Sequence, residues 1–243
     1  MMKFKTTLIL GAVLLCLCSA NGFAGEKKWK NEAELSYVHT GGNTDVSTFS
    51  FKNQLNYQFN ERWKSALKMS AIYGQSDGER TAENYKTVLR TDYKLKEKRY
   101  LYVIGGHSTD EFAGIDNRYY GGLGAGYHFL DGPNHYFSSE LGLNHSLEEY
   151  IDDTHERFTD CRAFASYGYA IGENSRFSQE VEYLCDFSEG DNYRINSETA
   201  LKVGINSIFS LKLAYEVHFD NAPTPETLNK TDTRLYTAIT ASL

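Results

Sequence analysis

The chain has 243 residues, a formal charge of −7 and a mean hydropathy of −0.50. A polar, acidic chain with no long apolar run past its first residues is not a helical membrane protein. It also lacks the clustered cations that a phosphate backbone requires, which excludes nucleic acid as a partner. A transmembrane β-barrel survives both exclusions, because such a barrel hides its lipid face in alternate residues.

The N-terminus has a secretory shape. Lys3 and Lys5 precede an apolar stretch from Thr7 to Cys18, and Gly22-Phe23-Ala24 offers a small-x-small cleavage site. Residues 1–24 are read as a cleaved signal peptide, with Ala20 as the alternative end, and residues 25–243 as the barrel domain. Period two then takes over. Phe49, Phe51, Leu55, Tyr57 and Phe59 alternate with Ser50, Lys52, Gln54, Asn56 and Gln58, and Phe209, Leu211, Leu213, Tyr215, Val217 and Phe219 repeat the pattern. One face is greasy and the other wet.

Twelve such strands are expected, near 29–39, 48–59, 63–74, 84–95, 99–107, 117–129, 135–146, 157–170, 175–186, 193–205, 208–219 and 231–243. Soluble sheets favour strands of about 5–6 residues, whereas a tilted strand crossing a bilayer takes about 9–11. The connections alternate in size. Tight ones fall at 60–62, 96–98, 131–134, 172–174 and 206–207, and longer ones at 40–47, 75–83, 108–116, 147–156, 187–192 and 220–230. Short turns in the periplasm and long loops outside mark an outer-membrane barrel. Aromatics cluster at both borders, with Trp29, Trp63, Tyr127 and Phe177 at the inner ends and Tyr37, Tyr73, Tyr119 and Tyr193 at the outer ends. The fold class is therefore all-β: a transmembrane, antiparallel, up-and-down β-barrel of about 12 strands.

Gly42, Asn43 and Thr44 follow an alternating first strand led by Trp29, and Lys230-Thr231-Asp232-Thr233 introduces the last strand. On these motifs the chain resembles the salt-induced outer-membrane protein (YdiY-like) family, domain of unknown function 481. The resemblance implies a porin-like barrel in the outer membrane of a Gram-negative bacterium and a link to salt, osmotic or envelope stress. Neither motif is catalytic, so it implies little about a substrate. Its partners would be outer-membrane lipids, lipopolysaccharide and the barrel-insertion machinery, although the chain ends on Leu243 instead of the usual aromatic. The turn containing Gly42 and Asn43 reads as an outer reversal rather than a ligand loop.

Parity assigns the lumen. Its bases fall early, at Lys52, Lys64, Lys68, Lys86, Arg90, Lys94 and Arg118, and its acids late, at Glu140, Asp160, Glu180, Glu182, Glu198 and Glu216. Opposite walls of opposite charge would set a transverse field across a narrow pore for ions or small solutes. Alternatively, the long side chains meet and lock a closed structural barrel, or they are simply solvated. Twelve strands lie between filled eight-strand barrels and open porins, so strand number leaves these readings open.

With Asp186 counted at the border of the 187–192 connection, the outer loops hold seventeen carboxylates against Arg80 and Lys230, densest at Glu148, Glu149, Asp152, Asp153 and Glu156. Weak binding of divalent cations fits such a rim, while the spacing of a dedicated calcium loop is missing. No catalytic, cofactor or metal residues are assigned. His145 and Ser146 are neighbours on one strand and point to opposite faces, so they cannot share a proton as a lipase pair. Cys161 and Cys185 stand opposite each other about the 172–174 turn, which makes them a disulfide candidate in the oxidising periplasm. A non-hydrogen-bonded pair would bring their Cα atoms to about 4.5 Å; two reduced, small apolar residues are the alternative.

Overall fold

The computed structural model describes residues 28–40, 46–223 and 229–243. The signal segment and the Gly42-Asn43-Thr44 motif lie outside the described residues. Twelve strands close into one antiparallel up-and-down barrel, each paired with its sequence neighbours and β1 with β12. They are β1 Trp29–Thr40, β2 Val46–Gln58, β3 Trp63–Ser76, β4 Glu79–Lys96, β5 Arg99–Asp110, β6 Ile115–Asp131, β7 His135–Tyr150, β8 His155–Ile171, β9 Ser175–Asp186, β10 Tyr193–Gly204, β11 Phe209–Asp220 and β12 Thr231–Ser242.

The register explains why one alternation serves the whole chain. Even residues pair with even residues in successive hairpins: Lys52 with Ser70, Glu140 with Phe164, and Lys202 with Lys212. Side chains of directly opposed residues share a face, so between the rim irregularities even-numbered residues line the interior and odd-numbered ones face out. Tyr102, Glu140, Arg162 and Tyr236 are accordingly buried, while Leu35, Leu89, Leu141, Leu213 and Ile239 are exposed on the outside. The register shifts of the outer and inner rims, at Gly74/Gln75, Lys94/Lys96, Ser108/Asp110, Ile115/Asn117 and His128/Leu130, fall toward strand ends. Aromatic contacts mark both borders. Trp63 packs on Tyr93 at 4.7 Å on the inner side, and Tyr193 bridges Tyr183 and Phe219 at 5.9 and 5.7 Å on the outer side.

Three outer connections are shorter than the alternation predicts. The 75–83 loop is a tight reversal at Asp77 and Gly78, whose φ values of 49° and 87° are those a two-residue hairpin needs. Residues 108–116 reduce to one 3-10 turn at Glu111–Ala113, and β7 and β8 run on to Tyr150 and from His155. Beyond the bilayer the outward face also meets polar surroundings, so pairing continues where the greasy-wet contrast has ended.

The closing seam differs from the other strand pairs. The β1–β12 ladder runs only from Glu32–Ser242 to Leu35–Ile239, with Asn31 and Leu243 exchanging backbone bonds of 3.1 and 2.9 Å at its inner end. Both strands continue outward past Leu35 and Ile239 without a further ladder between them.

Candidate functional site

The interior charges are organised in three bonded groups. The first centres on Glu140 of β7, whose side chain is 3% exposed. Arg90 of β4 grips it with two bonds of 3.0 and 2.7 Å, Arg162 of β8 adds one of 2.8 Å, and the Tyr100 hydroxyl donates at 2.7 Å. Arg90 also binds Asp92 at 2.6 Å and Arg162 binds Glu182 at 2.6 Å. Planar guanidinium forks suit this geometry because two parallel bonds fix direction as well as charge. Space for the rings comes from inward-facing glycines. A Cβ on Gly126 would run into Tyr100, and one on Gly124 or Gly142 into Tyr102.

The second group is built from lysines and spans the seam. Lys52 of β2 reaches Glu198 of β10 at 3.0 Å, Glu216 of β11 at 2.5 Å and the Tyr236 hydroxyl of β12 at 2.9 Å. Lys212 bonds Glu34 of β1 at 2.9 Å and Glu198 at 2.8 Å, and Lys202 bonds Glu32 at 2.5 Å. Tyr236 donates to Glu34 at 2.9 Å and lies among the small residues Ala200, Ala214 and Ala238. Arg234 completes the group on Glu216 at 2.6 Å.

The third group lies nearer the outer rim. Glu148 accepts from Arg118 at 2.6 Å and Arg194 at 2.8 Å, and Arg194 also faces Asp160 at 3.4 Å. Glu148 belongs to the densest acidic stretch of the sequence, yet it points inward and is neutralised there. Among the described residues no three His, Cys, Asp or Glu side chains converge as metal ligands.

These groups correct the charge layout that the early bases and late acids suggest. Arg162, Arg194, Lys202, Lys212 and Arg234 stand on the late strands, Glu32, Glu34 and Asp92 on the early ones, and they neutralise one another locally. The two walls therefore do not carry opposite charge as wholes. The same even parity identifies each of them, so the signal is in the sequence; who meets whom is set by the register around the ring. Of the other sequence-assigned charges, Lys64 pairs with Asp92 at 3.2 Å and Glu180 meets only the Ser166 hydroxyl at 3.4 Å. Lys68 and Lys86 are exposed to the lumen and make no ion pair among the described residues.

Cys161 and Cys185 are directly paired in the β8–β9 ladder, and both are free thiols. The pair is of the hydrogen-bonded kind, because Phe187 donates to Thr159 at 3.0 Å two residues further out. The 4.5 Å approach therefore does not apply, and a separation of about 5.5 Å does. His145 faces out to Thr159 at 3.1 Å, whereas Ser146 is buried inside.

The family model described as "Protein of unknown function, DUF481" matches residues 33–242. The chain belongs to this family. It is 28% identical over 212 residues to the uncharacterized protein YdiY of Escherichia coli (strain K12), covering 87% of this chain and 82% of that protein. Among solved structures it is similar to the COG4313 outer membrane channel of Pseudomonas putida F1 (TM-score 0.55, 12% identity, 92% of this chain and 100% of that one). It is also similar to the NanC porin (0.51, 9%, 87% and 97%) and to the translocator domain of the autotransporter NalP of Neisseria meningitidis (0.51, 10%, 98% and 94%). Channel, porin and translocator share the architecture, so the likeness carries the fold, that of an outer-membrane barrel, and leaves the function to the site.

Proposed function

We propose that this DUF481 barrel sits in the outer membrane, in contact with lipid and lipopolysaccharide, and acts as a narrow, water-filled passage for ions or small solutes rather than as an enzyme. One observation carries this reading: none of the lumen bonds among the described residues crosses the axis. The longest, Lys52–Glu198, joins strands four steps apart in a ring of twelve, and Arg90–Glu140 and Arg194–Glu148 join strands three steps apart. A chord over four of twelve strands passes about halfway between wall and axis, so the ion pairs line the wall. The residues of the leader support secretion past the inner membrane, and the family resemblance supports a role under salt or osmotic stress.

The competing reading is a closed barrel serving envelope integrity, favoured by the near-complete burial of Glu140 and Tyr102. Planar-bilayer conductance and solute-driven swelling of proteoliposomes separate the two. The passage is expected to give discrete conductance steps; leak-level current together with absent swelling would leave the structural barrel.

A further inference from the structure

Most interior cations at mid-barrel are already held by carboxylates. Lys52, Arg90, Arg162, Lys212 and Arg234 each bond at least one. Lys68 and Lys86 are different: neither makes an ion pair or side-chain hydrogen bond among the described residues, and both are exposed to the lumen. They are also neighbours. Lys68 of β3 is paired with Val88 and Ser70 with Lys86 of β4, so the two lysines are diagonal partners on one inward face. Diagonal Cβ atoms lie about 7–8 Å apart, within reach of a common ligand for two long side chains.

Most of the charged neighbours of Lys86 are themselves cations. The charged groups with the largest influence on Lys86 are Glu182, Arg118, Lys68 and Arg162, and Lys86 in turn acts on His218. The single carboxylate among them already accepts from Arg162 at 2.6 Å and from Asn196 at 3.2 Å. Glu180, the mid-barrel acid bonded only to a hydroxyl, belongs to β9, on the wall opposite β3. From there it repels an anion toward the lysines. We infer that Lys68 and Lys86 form an anion subsite on the wall of the passage, taking small monovalent anions of halide or carboxylate size and making the passage anion-preferring. Two compact ammonium groups on flexible stems act as point charges, so the site suits small anions without a demand for planar, bidentate geometry.

The inference rests on the proposed passage, and the test separates the two. Reversal potentials of the purified full-length barrel are measured in planar bilayers under a KCl gradient. The wild type is expected to pass chloride over potassium. The Lys68→Gln/Lys86→Gln variant is expected to lose that preference, and Lys68→Arg/Lys86→Arg to keep it. A potassium preference in the wild type, or a chloride preference unchanged in the glutamine variant, overturns the subsite while leaving the passage intact. If no channel conducts, the passage fails, and ¹⁹F line broadening of trifluoroacetate by the detergent-solubilised barrel decides the subsite. Broadening by wild type but not by the glutamine variant supports it; equal or absent broadening overturns it. Retained heat-modifiable migration on gels confirms that each variant is folded.

Discussion

The arginine group around Glu140 and the lysine group around Glu198 hold the same kinds of charge on two walls of one barrel, but under different constraints. The arginine group lies within consecutive hairpins, β4 to β9, where the ladder already sets every position. Its acid is 3% exposed, and its aromatic rings fill space vacated by glycines. The lysine group bridges β10, β11 and β12 to β1 and β2, strands joined only by a short ladder, and Glu198 keeps 26% of its side chain exposed. Rigid forks prevail where the frame is fixed by neighbours, and adaptable point charges prevail where two distant ends of the chain must meet, with Arg234 on Glu216 the fork of that second group.

The sharpest way to break this comparison is to remove the acid of the fixed wall. Glu140→Ala strands parts of the buried Arg162 and half-buried Arg90 guanidinium groups, and urea unfolding in phospholipid bilayers is expected to show a loss of about 3–5 kcal/mol. If the loss proves smaller than that of a lysine-wall variant, the ranking of the walls is reversed. Next, Gly124→Ala places a Cβ against the Leu141 carbonyl and the Tyr102 hydroxyl. A cost of about 1–3 kcal/mol is expected in the same assay. Gly121→Ala, on the outward face where a Cβ meets nothing within 4 Å, should stay within about 0.5 kcal/mol.

On the seam wall, Tyr236→Phe removes the hydroxyl bonds to Glu34 and Lys52 while leaving both ions paired. About 1 kcal/mol is expected, less than for either change on the arginine wall that touches Glu140 or Tyr102. The smallest effect concerns Cys161 and Cys185, which carry no part of either wall. Mass spectrometry of the unfolded, non-reduced chain is expected to count two free thiols, and alkylating them should leave the unfolding midpoint in place.

Strand number, direction and facing were legible in the sequence because one parity serves the middle of every strand, broken only by the irregularities near the rims, a direct result of lipid on one side and water on the other. The outer hairpins were not. At Glu79–Ala82 and Glu148–Tyr150 apolar and polar residue types no longer alternate, although burial still alternates to Tyr150, so the ends of β4 and β7 are not readable from the pattern. Inward charges were legible one at a time, but their bonding was not. Arg162 meets Tyr102 of β5 at 3.0 Å, and Lys52 meets Glu198, because the closed ring brings their strands into reach. No spacing along the chain encodes those distances.

The unequal seam has a temporal meaning. Every other ladder joins strands adjacent in the chain, so it can form as soon as a hairpin has been made. The pairs Glu32–Ser242 and Leu35–Ile239, with Lys212–Glu34 inside them, wait for the last residues, and closing so long a loop is the slow step. What closes last over the fewest bonds also reopens first. The amides of β1 beyond Leu35 should therefore exchange with solvent deuterium ahead of those in the β6–β7 ladder, a clock that runs from the seam inward.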